Sequence, residues 1–113
     1  MLSNDGRTLW AVNTGYGLVA AIDVAAHRVR EQFRFTPRPG AGAAGIAALS
    51  PDGKRLAMSD AQRVWFVELQ QRRVSAPVTH IAIALGFAPD GKRVWVVGQR
   101  SRVSLLPVIA PVP

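Results

Sequence analysis

Apolar residues come in short runs of about five to eight, rich in Val, Ile, Trp and Phe, and bounded by Gly, Pro, Asp or Asn. Runs of that length and chemistry read as β-strands. The pattern predicts about ten: roughly 7–13, 18–24, 28–35, 45–50, 54–59, 63–69, 72–78, 81–87, 92–97 and 102–107, with an extra stub at 1–3. No window makes a convincing helix. The strongest contender is VAAIDVAAHRVRE (19–31), but the matching stretch further on is VWFVELQQRRVSA, crowded with aromatic and β-branched residues. In GAGAAGIAA (40–48) three glycines weaken any helix. The expectation is an all-β chain.

The pattern also repeats. Three Asp-Gly turns stand at matching places, in SNDGRTLWAV (3–12), SPDGKRLAMS (50–59) and APDGKRVWVV (88–97). Leu9, Leu56 and Val94 share one offset from the turn, and Trp10, Ala57 and Trp95 the next. A second run follows each: LVAAIDV (18–24), RVWFVEL (63–69) and RVSLLPV (102–108), so that Val19, Val64 and Val103 correspond, as do Ile22, Val67 and Leu106. The turns explain themselves chemically. Pro51 and Pro89 bring the fixed φ of a second turn position, Gly6, Gly53 and Gly91 tolerate a positive φ, and Asp5, Asp52 and Asp90 accept local backbone hydrogen bonds. Periods near 40 residues suggest stacked supersecondary units.

Four short strands per unit, in sequence order, describe a propeller blade, a twisted antiparallel meander packed face to face with its neighbours. In the first two units a third run follows, HRVREQFRF from His27 and RRVSAPV from Arg72, and it would be the outer strand. In 28–35, alternation puts Val29, Glu31, Phe33 and Phe35 on one side and Arg28, Arg30, Gln32 and Arg34 on the other, and charge along an unpaired edge discourages association there. The PDGKRLAMS and PDGKRVWVV segments resemble the WD40-like, Pro-Asp-Gly-containing propeller repeats of bacterial proteins. DGRTLWAVNTGYGLVAAIDVAAHRV resembles the related repeats named for a Tyr-Val-Thr-Asn motif, whose nearest counterpart here is Ala11-Val12-Asn13-Thr14. The resemblance implies rings of six to eight blades, often extracytoplasmic, in binding, scaffolding or cofactor-bearing proteins.

The fold class expected is therefore a partial β-propeller: an incomplete first blade at 1–39, a complete second at 40–78, and a third at 79–113 lacking its outer strand and ending in a Pro-rich tail. About two and a half blades do not close a ring. The expectation is a fragment of a longer chain, with assembly of several copies as the other possibility.

Composition narrows the chemistry. In 113 residues there is no Cys, which excludes disulfides, thiol catalysis and finger-type zinc sites, and two His are too few for a His-rich metal site. No run approaches the length of a transmembrane helix, and the opening MLSNDG is not a secretory signal. Net charge is +7, and twelve of the fourteen basic residues are Arg. The excess is spread along the chain as +2, +2 and +3 over residues 1–39, 40–76 and 77–113. Even spreading reads as a solvated surface; a nucleic-acid partner and membrane insertion are not expected.

No catalytic constellation stands out. Asp5, Asp52 and Asp90 recur with the turns and read as structural, together with Gly6, Pro51, Gly53, Pro89 and Gly91. Asp23 and Glu68 occupy equivalent strand ends where Pro107 replaces the acid, which suits a local turn or cross-strand bond. The Gly-rich 39–45 lacks the Lys-Ser/Thr of a phosphate loop and reads as a variable connection with Arg38 at its entrance. His80 precedes an inner strand near the mouth of the central channel, and Trp65 beside Arg63 is a possible stacking group. His80, Arg38 and Trp65 are thus the candidate contact residues, with no metal site and no cofactor implied. The function expected is non-enzymatic binding or scaffolding, through a protein partner or self-association by exposed blade faces. The alternative is the propeller portion of a larger enzyme or redox protein whose catalytic groups lie outside these residues.

Overall fold

A computed structural model describes residues 1–13, 18–34, 46–59, 62–76, 78–98, 100 and 102–109. It forms three antiparallel sheets. The first is a meander of β1 (Thr8–Asn13), β2 (Leu18–Asp23) and β3 (Arg28–Arg34). The second runs β4 (Ile46–Leu49), β5 (Arg55–Ser59), β6 (Arg63–Glu68), with β7 (Arg73–Val74) and β8 (Val78–Thr79) both pairing with β6. The third is β9 (Ala84–Phe87), β10 (Arg93–Val97) and β11 (Val103–Pro107). The stub at the start contributes one bridge, Leu2 to Leu9.

The Asp-Gly turns are built alike. The amide of Gly53 donates to the Ser50 carbonyl at 2.9 Å, that of Gly91 to Ala88 at 2.9 Å, and that of Gly6 to Ser3 at 3.0 Å. Each glycine has φ between 70° and 73°, a left-handed conformation in which a Cβ is strained. The carboxylate of each Asp accepts the amide two residues on, from Arg7, Lys54 and Lys92, at 2.9 to 3.0 Å. In the first two turns a serine hydroxyl adds a bond: Ser3 to Asp5 and Ser50 to Asp52, each at 2.6 Å.

Two elements depart from the simple pattern. The outer strand expected at 72–78 is split. Between β7 and β8, Ser75 gives its amide to the Phe66 carbonyl at 2.8 Å and takes the Phe66 amide on its side-chain oxygen at 3.0 Å, so a hydroxyl stands in for a backbone acceptor. In β3 the predicted alternation fails at Val29. The β2–β3 register shifts between Ala21 and Ile22, with Glu31 opposite Ala21 but Val29 opposite Ile22. This bulge leaves Arg30 over and turns Val29 away from the side of Phe33, so that Val29 is 53% exposed while Phe33 is buried.

The core lies between the sheets, and the second sheet is its centre. One face of the second sheet places Leu56, Met58 and Val67 against Trp10, Val19, Ala21 and Phe33 of the first. The other face places Ala57, Val64 and Phe66 against Val94 and Val96 of the third sheet and Ala82 of the connection leading into it. Strand alternation makes this possible: odd and even residues of β5 and β6 feed opposite cores. Polar ties cross the first interface. The Asn4 side-chain amide donates to the Pro51 carbonyl, and the Arg72 guanidinium donates to Glu31 at 2.9 Å and covers the Phe33 ring at 5.4 Å.

Candidate binding site

The candidate residues fall in different places. Trp65 is wholly buried in β6, with the Arg63 guanidinium 4.8 Å above its ring. It faces the same way as Val67 and Met58, toward the first sheet, so a partner cannot reach it in this arrangement. The physical reason is that both faces of the middle sheet are covered, and neither Trp65 nor Phe66 is left to solvent. The Trp65 indole Nε1 has no hydrogen-bond partner among the described residues. Arg38 lies outside the described residues, as does the whole Gly-rich connection at 39–45.

His80 is partly exposed on the connection from β8 to β9. Its amide donates to the Gln62 carbonyl at 2.8 Å, and its Nδ1 sits 2.9 Å from the Ile81 carbonyl oxygen. Beside it a cavity of about 390 Å³ is lined by His80, Ile81, Gly98, Arg100, Arg102 and Ser104. Gly98, Arg100 and Arg102, between β10 and β11, line its other side, and the Gly98 amide donates to the Arg102 carbonyl at 2.7 Å. Sequence reasoning singled out His80 but passed over Arg100, Arg102 and Ser104.

The acidic residues do local work. Asp23 accepts the Ala26 amide at 3.0 Å, and Glu68 pairs with Arg55 across the β5–β6 hairpin. The Ser3 hydroxyl and then the Arg7 amide hold the Asp5 carboxyl below the usual carboxylate range; the Ser50 hydroxyl and the Lys54 amide do so for Asp52. For Asp90, where Ala88 replaces the serine, the Lys92 amide is the first cause of the same lowering. Such carboxylates are held ionised as turn acceptors, which is the opposite of what a general acid needs. Among the described residues no group of three His, Cys, Asp or Glu could hold a metal, and no helix is long and apolar enough to cross a membrane.

The outer sheets each leave one face uncovered. On the third sheet Trp95 is 47% exposed and Val103 60%, with Leu105 opposite Trp95. On the first, Leu9 is 38% exposed and pairs with Ile22, which pairs in turn with Val29. These two faces are not alike. Trp95 occupies the repeat position of Trp10, and Leu9 that of Leu56 and Val94.

No protein-family model matches the chain, and no curated protein does. Solved structures do. Hydrazine synthase of Kuenenia stuttgartiensis is 23% identical with a TM-score of 0.69, over 94% of this chain and 31% of that one. The WD40 repeats of RRP9 are 18% identical with a TM-score of 0.72, over 96% and 34%. The β-propeller domain of Myceliophteria thermophila Cps50 (Swd1) is 16% identical with a TM-score of 0.74, over 99% and 35%. The chain thus spans about a third of the length of the solved chains it matches. Three face-packed antiparallel meanders, aligned along their whole length with such domains, make this chain a partial β-propeller.

Proposed function

We propose that the chain is a non-enzymatic binding or scaffold segment of a propeller, made of an incomplete blade at 1–39, a full blade at 40–78 and a third at 79–113 without its outer strand. Its two end faces are blade-joining surfaces that take further blades of a longer protein. The observation that carries this is the equivalence of Trp10 and Trp95. Trp10 is 8% exposed because the second sheet covers it, whereas Trp95 presents the same strand position on a bare face. Such stacks need covered ends.

Light scattering on a size-exclusion column, over a tenfold range of concentration, tests the reading. The isolated chain is expected to associate with rising concentration and to bind an apolar dye, with Trp95→Lys reducing both. A monodisperse monomer that binds no dye overturns it. A discrete species near three times 12.2 kDa that persists on dilution would replace the longer parent with a ring of copies.

A second reading has one observation in its favour: hydrazine synthase, among the solved matches, is named as an enzyme. On that reading the chain is the propeller portion of a larger enzyme or redox protein, whose chemistry resides in residues outside this sequence. An open reading frame extended into a cofactor-attachment or hydrolase segment would select it.

A further inference from the structure

The repeat makes an internal comparison possible. Arg63-Val64-Trp65 in β6 corresponds to Arg102-Val103-Ser104 at the start of β11. The registers agree: Met58 lies opposite Trp65, Val96 lies opposite Ser104, and both partners stand six residues after their turn aspartate. In the second blade the indole of Trp65 is wholly buried, with the guanidinium of Arg63 over it. In the third blade the arginine is kept and the indole is a serine. The cavity of about 390 Å³ opens at that place.

Its walls are fixed. A Cβ on Gly98 would come within 3.0 Å of the Ile81 carbonyl oxygen, so the two strands of chain approach as closely as glycine permits. The Ile83 amide donates to Val97 at 2.7 Å and the His80 amide to Gln62 at 2.8 Å. Arg100 is held at a φ of 59°, a region most side chains avoid. Two arginines and a histidine line the space, no acidic residue does among the described ones, and neither Arg100 nor Arg102 is ion-paired among the described residues. The volume lies in the range of small-ligand sites.

The geometry points to this cavity as a site for a small planar aromatic acid. The ring takes the place that Trp65 fills in the second blade, against Ile81 and beneath Arg102, as Trp65 lies beneath Arg63. Cation–π contact suits a guanidinium over a ring. The acid group meets Arg100 and His80, and the Ser104 hydroxyl is left to bond a ring substituent. The site faces the second blade and not the bare end face, so it is independent of what covers Trp95.

The test is a ¹H–¹⁵N titration of the whole chain with three probes that share a ring: indole-3-acetate, indole and tryptamine. Indole-3-acetate is expected to give saturable shifts at Gly98, Arg102 and Ser104, and to bind about tenfold more tightly than tryptamine. Ser104→Trp, which refills the space as the second blade does, should abolish these shifts and leave the rest of the spectrum in place. Should that variant fail to fold, Arg102→Gln provides the test, with about tenfold weaker binding expected. No saturable shift up to about 10 mM, equal binding of tryptamine and indole-3-acetate, or unchanged binding by a folded Ser104→Trp or Arg102→Gln protein would overturn the assignment.

Discussion

A single hydroxyl distinguishes the three turns. Ser50 donates to Asp52 at 2.6 Å and accepts the Arg55 amide at 3.0 Å, and Ser3 makes the same pair with Asp5 and the Thr8 amide. Ala88 can do neither. Ser50 is 3% exposed, so its replacement by Ala removes two bonds in a sheltered place, with a cost of about 1–2 kcal/mol in chemical denaturation. Ala88→Ser should do the reverse and stabilise by about 0.5–1 kcal/mol, because the turn around it already has the geometry that receives the hydroxyl. Protonation acts on the same atoms. Asp52 has its carboxyl lowered by the Ser50 hydroxyl first and the Lys54 amide second. A folded-state value below the unfolded one means the contribution is whole above the ordinary carboxylate range and is lost as pH falls through the lower, folded value. Thermal melts from neutral to strongly acidic pH should therefore show a falling limb on the acid side. In Asp52→Asn, which keeps an acceptor but no titration, that limb should be shallower; an unchanged limb would remove Asp52 from the account.

Strands and turns were legible to different degrees, for physical reasons. The three hairpins follow from local chemistry, since Asp-Gly demands a turn wherever it stands, and the observed β5 and β10 begin within a residue or so of where the pattern puts them. The faces of β6 were not legible. A strand covered on both sides reads as the unbroken run VWFV, and alternation says only that neighbours point apart. That is why Trp65 looked available to a partner although it is enclosed. Nor does alternation reveal a bulge, so Val29 was grouped with Phe33 although an extra residue separates their faces. The split between β7 and β8 is of the same kind. It rests on Ser75 lending a hydroxyl to the Phe66 amide, a choice no periodicity records. Ser75 is fully buried, so Ser75→Ala leaves that amide without its partner and should cost about 1–3 kcal/mol. Hydrogen exchange would show faster exchange at Phe66 than at Val64, whose strand segment is held by β8. The cavity lined by Ser104 was partly readable, because the alignment of Val64 with Val103 already set serine against tryptophan. Without the face of Trp65, that exchange carried no meaning.

At the scale of the whole molecule the question is how much each repeated tryptophan contributes, and what it is packed against. Trp10 and Trp95 hold the same place in their blades, yet one lies in the core beside Leu56 and Met58 and the other on a bare face. Stability follows surroundings, not sequence position. Trp10→Ala empties a packed interface and should cost about 3–5 kcal/mol. Trp95→Ala in the dilute chain removes a half-exposed ring with nothing on its far side, and should shift stability by about 0.5 kcal/mol or less. The difference should narrow wherever a further blade covers the third sheet, because the ring then acquires the environment of Trp10. Paired denaturation curves at low and high protein concentration read this directly. At low concentration only Trp10→Ala should be strongly destabilised. At high concentration the parent chain should gain stability by association, and Trp95→Ala should lose that gain. If Trp95→Ala unfolds the dilute chain as readily as Trp10→Ala does, the third sheet already has a partner within the molecule, and its outer face is not the joining surface.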